Sequence, residues 1–128
     1  MAEIIRIYHP NGKLKAEYFD LNGKKEGIYK EYYEHGELLI ICNYVDGKKY
    51  GEYKDFYENG QLACMCSYMN DNKYGEYTLY DDDGKLDQIC MYNNNNKLHG
   101  LYKEYNKDGE LIESCVYVNG IKIGIKID

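Results

Sequence analysis

Five cysteines offer the widest choice of chemistry in this chain, because thiolates bind metals, form disulfides and act as nucleophiles. If equivalent positions of a repeat lie on neighbouring hairpins, they are two strands apart, about 9.6 Å. A disulfide needs Cα atoms within ~7 Å, and zinc holds its sulfurs at ~2.3 Å. The recurring thiols are therefore predicted to be free, metal-free and semi-buried. They are Cys42, Cys66, Cys90 and Cys115, with Cys64 beside Cys66 but without the C-x-x-C spacing of redox motifs.

No catalytic centre is predicted from the remaining reactive residues. The serines and the threonine are Ser67, Ser114 and Thr78, and no pattern joins one of them to a base and a third orienting group. The acidic run at 81–83 lacks the alternating ligands and terminal Glu of a calcium loop. We interpret this run as a solvated turn, and we expect neither enzymatic activity nor a cofactor.

Charge and length restrict the class of protein. The 128 residues suit one domain, 1–128, and 22 acidic against 16 basic residues give a net charge of −6. This balance argues against nucleic-acid binding, which needs clustered Lys and Arg, and against docking on anionic lipid. The N-terminal sequence lacks a signal-peptide pattern, and an odd number of cysteines suits a reducing compartment. A cytoplasmic location is expected.

The 13 glycines reveal an internal repeat of about 24 residues. All of them fall on three frames of this period, and the third frame has two vacancies, filled by Asp71 and Asn96. Asp and Asn are the residues that best replace Gly at positive φ. The third frame is therefore predicted to be left-handed, and the other two are predicted turns. The frames are Gly12, Gly36, Gly60, Gly84 and Gly109; Gly27, Gly51, Gly75, Gly100 and Gly124; and Gly23, Gly47 and Gly120.

Two turn signals per repeat leave two extended segments of six to eight residues, such as those at 37–45 and 51–57. Neither has a helical period, and dipeptides such as Asn59-Gly60 are typical of tight hairpins. The predicted fold is all-β: five hairpin repeats stacked into one elongated, single-layer antiparallel sheet. Its outer edges are open to pairing, unless residues 1–8 and 121–128 cap them.

The repeated pattern G-x-Y-x-x-Y-x-x-x-G-x-L, as in YGEYKDFYENGQL, resembles that of MORN-repeat proteins. More narrowly, it is similar to the MORN-variant repeats of bacterial proteins often described as the antitoxin component of toxin–antitoxin systems. The resemblance covers nearly the whole chain, about residues 5–128. It implies an elongated, twisted sheet and a binding role. Such repeats are scaffolds for many unrelated functions, so the resemblance by itself does not name a partner.

The 17 tyrosines are the strongest functional signal, since tyrosine buries a large area at low entropic cost and keeps a hydroxyl group. Tyrosines on the repeat frame are predicted to cover a thin sheet, next to Leu and Cys. Those off the frame are predicted to be freer to contact a partner. With the carboxylates of the second strands, the candidate contact residues are Tyr33, Tyr50, Tyr57, Tyr74, Glu31 and Asp55.

These features favour a non-catalytic, protein-binding repeat module. The resemblance implies an antitoxin or immunity role, in which an acidic, aromatic slab occludes a toxin, and a basic partner would associate rapidly with it. A general protein-interaction scaffold remains an alternative. Lipid binding, also associated with MORN repeats, is a third hypothesis that fits the net charge of −6 less well. The sequence leaves the oligomeric state open.

Overall fold

Each extended segment of the repeat forms a β-strand in the computed structural model of the chain, which describes residues 2–124. The strands are rich in β-branched and aromatic residues, which fit a pleated, half-buried surface. Their bounds are β1 Ala2–Tyr8, β2 Leu14–Leu21, β3 Lys24–Tyr32, β4 Leu38–Val45, β5 Lys48–Phe56, β6 Leu62–Met69, β7 Asn72–Tyr80, β8 Leu86–Tyr92, β9 Gly100–Tyr105, β10 Leu111–Val118 and β11 Ile121–Lys122.

The strands form one open antiparallel sheet in which spatial order equals chain order, from β1 to β11. Each strand pairs only with the strands before and after it in the sequence. The predicted fold, an all-β sheet of stacked hairpin repeats, is confirmed. Within residues 2–124 no helix is long and apolar enough to span a membrane.

Hairpins along one side of the sheet close with two-residue turns at the third glycine frame. Asn22 and Gly23 have φ of 55° and 84°, and Asp46 and Gly47 have φ of 53° and 82°. Two successive left-handed residues define the type I′ turn, whose twist matches that of the strands. Asp71, which replaces Gly in this frame, has φ of 72°. The predicted left-handed conformation of this frame is confirmed.

Loops along the other side are longer than the Asn-Gly and Asp-Gly dipeptides predicted. In the loop after β5, the N–H of Tyr57 donates to the carbonyl of Gln61 at 2.9 Å, and that of Gly60 donates to the carbonyl of Tyr57 at 2.9 Å. The glycine is left-handed, with φ of 88°, and it closes a five-residue connection. This geometry is that of a turn followed by a left-handed residue, and not of a two-residue hairpin.

Glycines of the second frame were predicted to lie in turns, and this prediction is wrong. Gly27, Gly51 and Gly75 lie inside β3, β5 and β7 with φ between 79° and 89°. Opposite Gly51, the register of β4 with β5 shifts between Cys42 and Tyr44. The glycines therefore occupy β-bulges, which bend a strand and increase its twist. A bulge needs the same left-handed freedom as a turn, so composition alone did not separate the two.

The fourth repeat has one extra residue in the turn at 93–97. This turn is therefore a five-residue loop like those on the other side of the sheet, and not a two-residue type I′ turn. The N–H of Asn93 donates to the carbonyl of Lys97, and that of Asn96 donates to the carbonyl of Asn93. The loop at 33–37 has the same two bonds. Asn96, with φ of 61°, takes the place that glycine holds in the loops of the other side.

We expect Asn96→Val to lower the free energy of unfolding by about 1–2 kcal/mol, because a branched side chain tolerates this backbone conformation poorly. Asn96→Gly is the matched control and is expected to cost less than the valine variant. Thermal or urea unfolding followed by circular dichroism measures both. Equal stability of the two variants would show that the backbone leaves the left-handed region without penalty.

Side-chain alternation gives the sheet two faces. The thiol face carries Cys42, Cys66, Cys90 and Cys115 with the tyrosines that pair with them, and the aliphatic face carries Ile41, Met65 and Ile89. Among the described residues, the buried side chains are all small, because a single layer hides an atom only beneath larger neighbours in the same layer. They are Ala16, Cys42, Cys64, Cys66, Cys90, Cys115, Thr78 and Ser114.

The N-terminal segment extends the sheet instead of capping it. Residues Ala2–Tyr8 form β1, which pairs with β2 along its length and is the outermost strand. Ile4 and Tyr8 on this strand are 50% and 57% exposed. The predicted cap at 1–8 is therefore wrong over residues 2–8. The predicted C-terminal cap, 121–128, lies outside the described residues from position 125 onward.

Candidate functional site

Tyrosine rings pack in groups along the thiol face, where cross-strand pairing brings one ring from each strand together. Tyr53 and Tyr68 meet edge-to-face with their ring centroids 5.5 Å apart. Aromatic pairs prefer this geometry because the positive ring edge faces the negative ring centre. The same arrangement recurs along the sheet in Tyr29–Tyr44, Tyr77–Tyr92 and Tyr102–Tyr117.

Lysine ammonium groups lie over these rings in three successive repeats. Lys49 Nζ is 5.2 Å from the ring centroid of Tyr53 and 5.0 Å from that of Tyr68. Lys25 and Lys73 lie over the paired rings of their own repeats in the same way. A cation within about 6 Å of a ring face is attracted by the ring quadrupole. The thiol face therefore already binds cations on its aromatic surface, using its own side chains.

Glu31 and Asp55, two of the predicted contact residues, accept hydrogen bonds from tyrosines of this face. Tyr29 Oη donates to Glu31 Oε1 at 2.7 Å, and Tyr53 Oη donates to Asp55 Oδ2 at 3.0 Å. Burial, together with these carboxylates, raises the pKa of both tyrosines. Burial also raises the pKa of Asp55. Both carboxylates thus lie within the aromatic layer.

Tyr33 and Tyr57, the next two candidates, link one repeat to the following one. Tyr33 Oη donates to the carbonyl of Phe56 at 2.7 Å, and Tyr57 Oη donates to that of Tyr80 at 2.6 Å. His9, at the equivalent position of the first repeat, contacts the carbonyl of Tyr32 at 2.9 Å. Both tyrosines therefore follow the repeat frame, and their description as off-frame residues is corrected. As contact residues for a partner they stay a prediction.

Tyr33→Phe is expected to lower the free energy of unfolding by about 0.5–1.5 kcal/mol, because it leaves the carbonyl of Phe56 without this donor. Tyr50→Phe, an equal chemical change at an exposed position, is the control and should leave stability unchanged. Chemical denaturation of both variants measures the difference. Identical midpoints would mean that the hydroxyl of Tyr33 contributes nothing to repeat stacking.

Tyr50 and Tyr74 lie on the other side of the sheet. They are 44% and 42% exposed and belong to the aliphatic face, where Tyr74 pairs with Ser67. Tyr50 lines a shallow basin together with Ile28 and Ile41. The structure therefore divides the predicted contact residues into two sets. Tyr33, Tyr57, Glu31 and Asp55 lie on or beside the thiol face, and Tyr50 and Tyr74 do not.

Sequence reasoning missed an apolar area at the β1 end of the aliphatic face. A basin of about 370 Å³ is lined by Ile4, Phe19, Ile28 and Ile41, with the cations Arg6 and Lys30. Phe19 and Ile28 are 43% and 48% exposed. Strand alternation in LKAEYFDL placed Phe19 opposite to Tyr18 and could have identified this surface. The repeat consensus concealed it, because Phe19 lies outside the recurring positions.

The acidic run at 81–83 takes part in a turn, and the cysteines pack beneath the larger side chains of the sheet. The Asp81 carboxylate accepts the backbone N–H groups of Asp83 and Lys85 at 3.0 and 2.9 Å, and so shapes its own turn. Oxygens of the three aspartates at 81–83 lie within 4.8 Å of one another. All five cysteines are free thiols, and they are buried and not semi-buried as predicted. Burial raises the pKa of Cys42 and Cys90, whereas a hydrogen bond from the Cys66 thiol lowers the pKa of Cys64. A thiol of raised pKa is a poor nucleophile at neutral pH.

A third basin, of about 280 Å³, lies on the thiol face between β5 and β8. Its lining includes five tyrosines and two carboxylates: Tyr53, Tyr57, Tyr68, Tyr77, Tyr80, Asp55 and Asp87. Such a surface combines flat apolar area with hydrogen-bonding groups and negative charge.

The comparison of the sequence with protein families gives one match that runs through the whole sheet. The pattern of a family described as "MORN repeat variant" matches residues 4–19, 25–46, 49–70, 73–94 and 98–119. Each matched segment spans most of two consecutive strands, from β1 and β2 in the first to β9 and β10 in the last. A comparison with curated proteins gave no match.

Proposed function

Because the chain belongs to the MORN repeat variant family, we propose that it is a protein-binding module that acts by covering a surface of its partner. MORN repeats are generally protein- or lipid-interaction modules and are generally non-catalytic. We prefer a protein partner to a lipid because of the thiol face, which combines paired tyrosine rings with carboxylates at Glu31, Asp55 and Glu104. Aromatic groups that keep a polar tip are enriched where proteins recognise proteins.

Electrostatics favours a protein over an anionic membrane as the partner. The chain carries a net charge of −6, and the lysines of the thiol face lie over its own tyrosine rings. An acidic protein is repelled by anionic lipid and attracted by a basic protein surface. The proposed partner is therefore a protein with a basic surface.

A finer proposal is that the module neutralises a toxin by occlusion in the cytoplasm. Its support is the similarity of the repeats to those of antitoxin components, the acidic charge and five buried free thiols, which suit a reducing compartment. Complementary charge would give the rapid association that an inhibitor needs. A scaffold that displays a partner without inhibiting it is the alternative.

Affinity capture from the source cell with the tagged chain tests the proposal at two levels. We expect one stoichiometric protein partner, whose isolated activity or toxicity falls when the module is added. A partner that binds and keeps its activity would support the scaffold instead. If no protein is captured and the module sediments with anionic vesicles, the proposal of a protein partner is contradicted.

Variants on each face identify the surface used. Glu31→Gln with Asp55→Asn keeps the hydrogen-bond acceptors of the thiol face and removes two charges, and we expect it to weaken partner binding. Tyr50→Ala with Tyr74→Ala truncates two exposed rings of the aliphatic face. If only the Tyr50→Ala, Tyr74→Ala variant binds the partner more weakly, the interface lies on the aliphatic face. This result would overturn the proposed use of the thiol face.

A further inference from the structure

The basin on the thiol face arises from small side chains in the third repeat. Its floor includes Ala63 and Cys64. The preceding repeat has Leu39 and Ile40 at these two positions, which are larger by several carbon atoms. The substitution of small for large residues opens about 280 Å³ between the tyrosine rings. The small residues at positions 63 and 64 therefore contribute to the space in this repeat.

Two carboxylates and the Lys73 ammonium group line the space, so its net charge is negative. The Asp55 carboxylate is half-buried at its floor, and the exposed Asp87 carboxylate stands at its rim. The charges of Asp81 and Asp82 also act on Tyr57, which lines the basin. Among the described residues the ion pairs lie elsewhere, at Arg6–Glu17, Lys24–Asp46, Lys54–Glu52 and Lys122–Glu113.

The rings around the basin already accept an ammonium group at one end. Lys73 Nζ lies 4.6 Å from the ring centroid of Tyr77, and Lys73 lines the same end of the basin. Lys49 Nζ lies 5.2 Å from the ring centroid of Tyr53, which also lines the basin. Tyr57 lies near the carboxylates of Asp55 and Asp87. Ring faces next to carboxylates attract a cation both by the ring quadrupole and by direct charge.

We propose that this basin receives a cationic side chain, the guanidinium or ammonium group of an Arg or Lys on a basic segment of the partner protein. This inference rests on the proposed protein-binding function and names the chemistry that the thiol face recognises. The cation would lie beside the ring of Tyr57, with Asp55 and Asp87 as its charge partners. A planar guanidinium suits the site best, since it stacks on rings and pairs with carboxylates at once.

The test uses a short acetylated and amidated peptide, Gly-Gly-Arg-Gly-Gly, titrated into the full chain and followed by nuclear magnetic resonance of the tyrosine rings. The same peptide with citrulline in place of arginine keeps the shape and removes the charge. We expect the arginine peptide to shift the rings of the basin and to bind at least about fivefold more tightly than the citrulline peptide. Equal binding of the two peptides would overturn the proposal.

Two variants remove the site by different means. Asp87→Lys places a competing cation at an exposed position, and Ala63→Leu fills the floor with the residue that the preceding repeat carries. Each is expected to weaken arginine-peptide binding about fivefold or more. Asp108→Lys makes the same charge change on an exposed turn outside the basin and should leave binding unchanged. Wild-type affinity in both basin variants, with folding confirmed by circular dichroism, would contradict the proposal.

The peptide experiment is independent of the capture experiment. If a protein partner is found but the peptide does not bind, the proposed function stands and the basin is not its contact. If the peptide binds as expected but no protein partner is captured, the basin stands as a cation site and the proposed function fails.

Discussion

Raising the pH above about 10 is expected to unfold the sheet as its paired tyrosines ionise. Burial raises the pKa of Tyr68 to about 12, and it raises those of Tyr29, Tyr53, Tyr77 and Tyr102 as well. In the unfolded chain these phenols lose their protons near pH 10. The unfolded state therefore binds fewer protons above that pH, and the free energy of unfolding falls as the pH rises. This stability is fully present below pH 10 and is lost as the pH passes through the raised pKa values.

Tyrosinate absorbance and circular dichroism, measured on the same samples across this pH range, test the expectation. The exposed rings should titrate first with the sheet intact, and the paired rings should titrate together with loss of the β signal. Tyr68→Phe should move the midpoint of unfolding to higher pH, whereas Tyr8→Phe, at a ring 57% exposed, should not. A single titration step near pH 10 with an intact sheet would contradict the role given to the paired rings.

Cys90→Asp is expected to have the largest effect of any single substitution considered. Cys90 is 1% exposed and pairs with Tyr77 on the thiol face. An aspartate there would bury a carboxylate among the Tyr77 and Tyr92 rings, where the Lys73 ammonium over the same rings would only partly offset the lost hydration. Such a charge costs about 3 kcal/mol or more in the free energy of unfolding. We expect most of the protein to be unfolded or aggregated at room temperature.

Met91→Asp is the matched control, since it introduces the same charge one residue further along β8. Met91 lies on the aliphatic face and is 38% exposed, so its replacement should cost less than half as much as Cys90→Asp. Urea denaturation of both variants measures the difference. Similar losses at the two positions would show that burial on the thiol face is not the cause.

The regular part of the fold could be predicted from the sequence because its signals are local. Positive φ at Asp71 and Asn96 followed from their places in a glycine frame, and the recurring tyrosines were expected next to Leu and Cys. A residue type at a fixed spacing carries this information without knowledge of distant atoms. Each signal recurs in about five repeats. Asp71 could therefore be recognised as occupying a position that holds glycine in other repeats.

Other features depended on contacts between repeats, and the sequence alone does not contain their geometry. Gly51 in a bulge and Gly60 in a turn have nearly the same φ, 89° and 88°, so the residue type could not tell them apart. Tyr33 looked free because its partner is a backbone carbonyl 23 residues away, and a carbonyl has no residue signature. The basin at Ala63 exists because a small side chain leaves space between the tyrosine rings, and this space is visible only in the packed sheet.

Pairing of each strand with its chain neighbours alone has a kinetic consequence. All-β proteins usually fold slowly, because distant segments must meet before any contact stabilises them. Here each new strand adds to one already adjacent in the chain, so every step closes a loop of only a few residues. The chain can therefore nucleate at any hairpin and grow in both directions, as in other linear repeat proteins. The sheet should fold fast for its β content, and a fault in one repeat should stop growth at that point while the hairpins on either side still form.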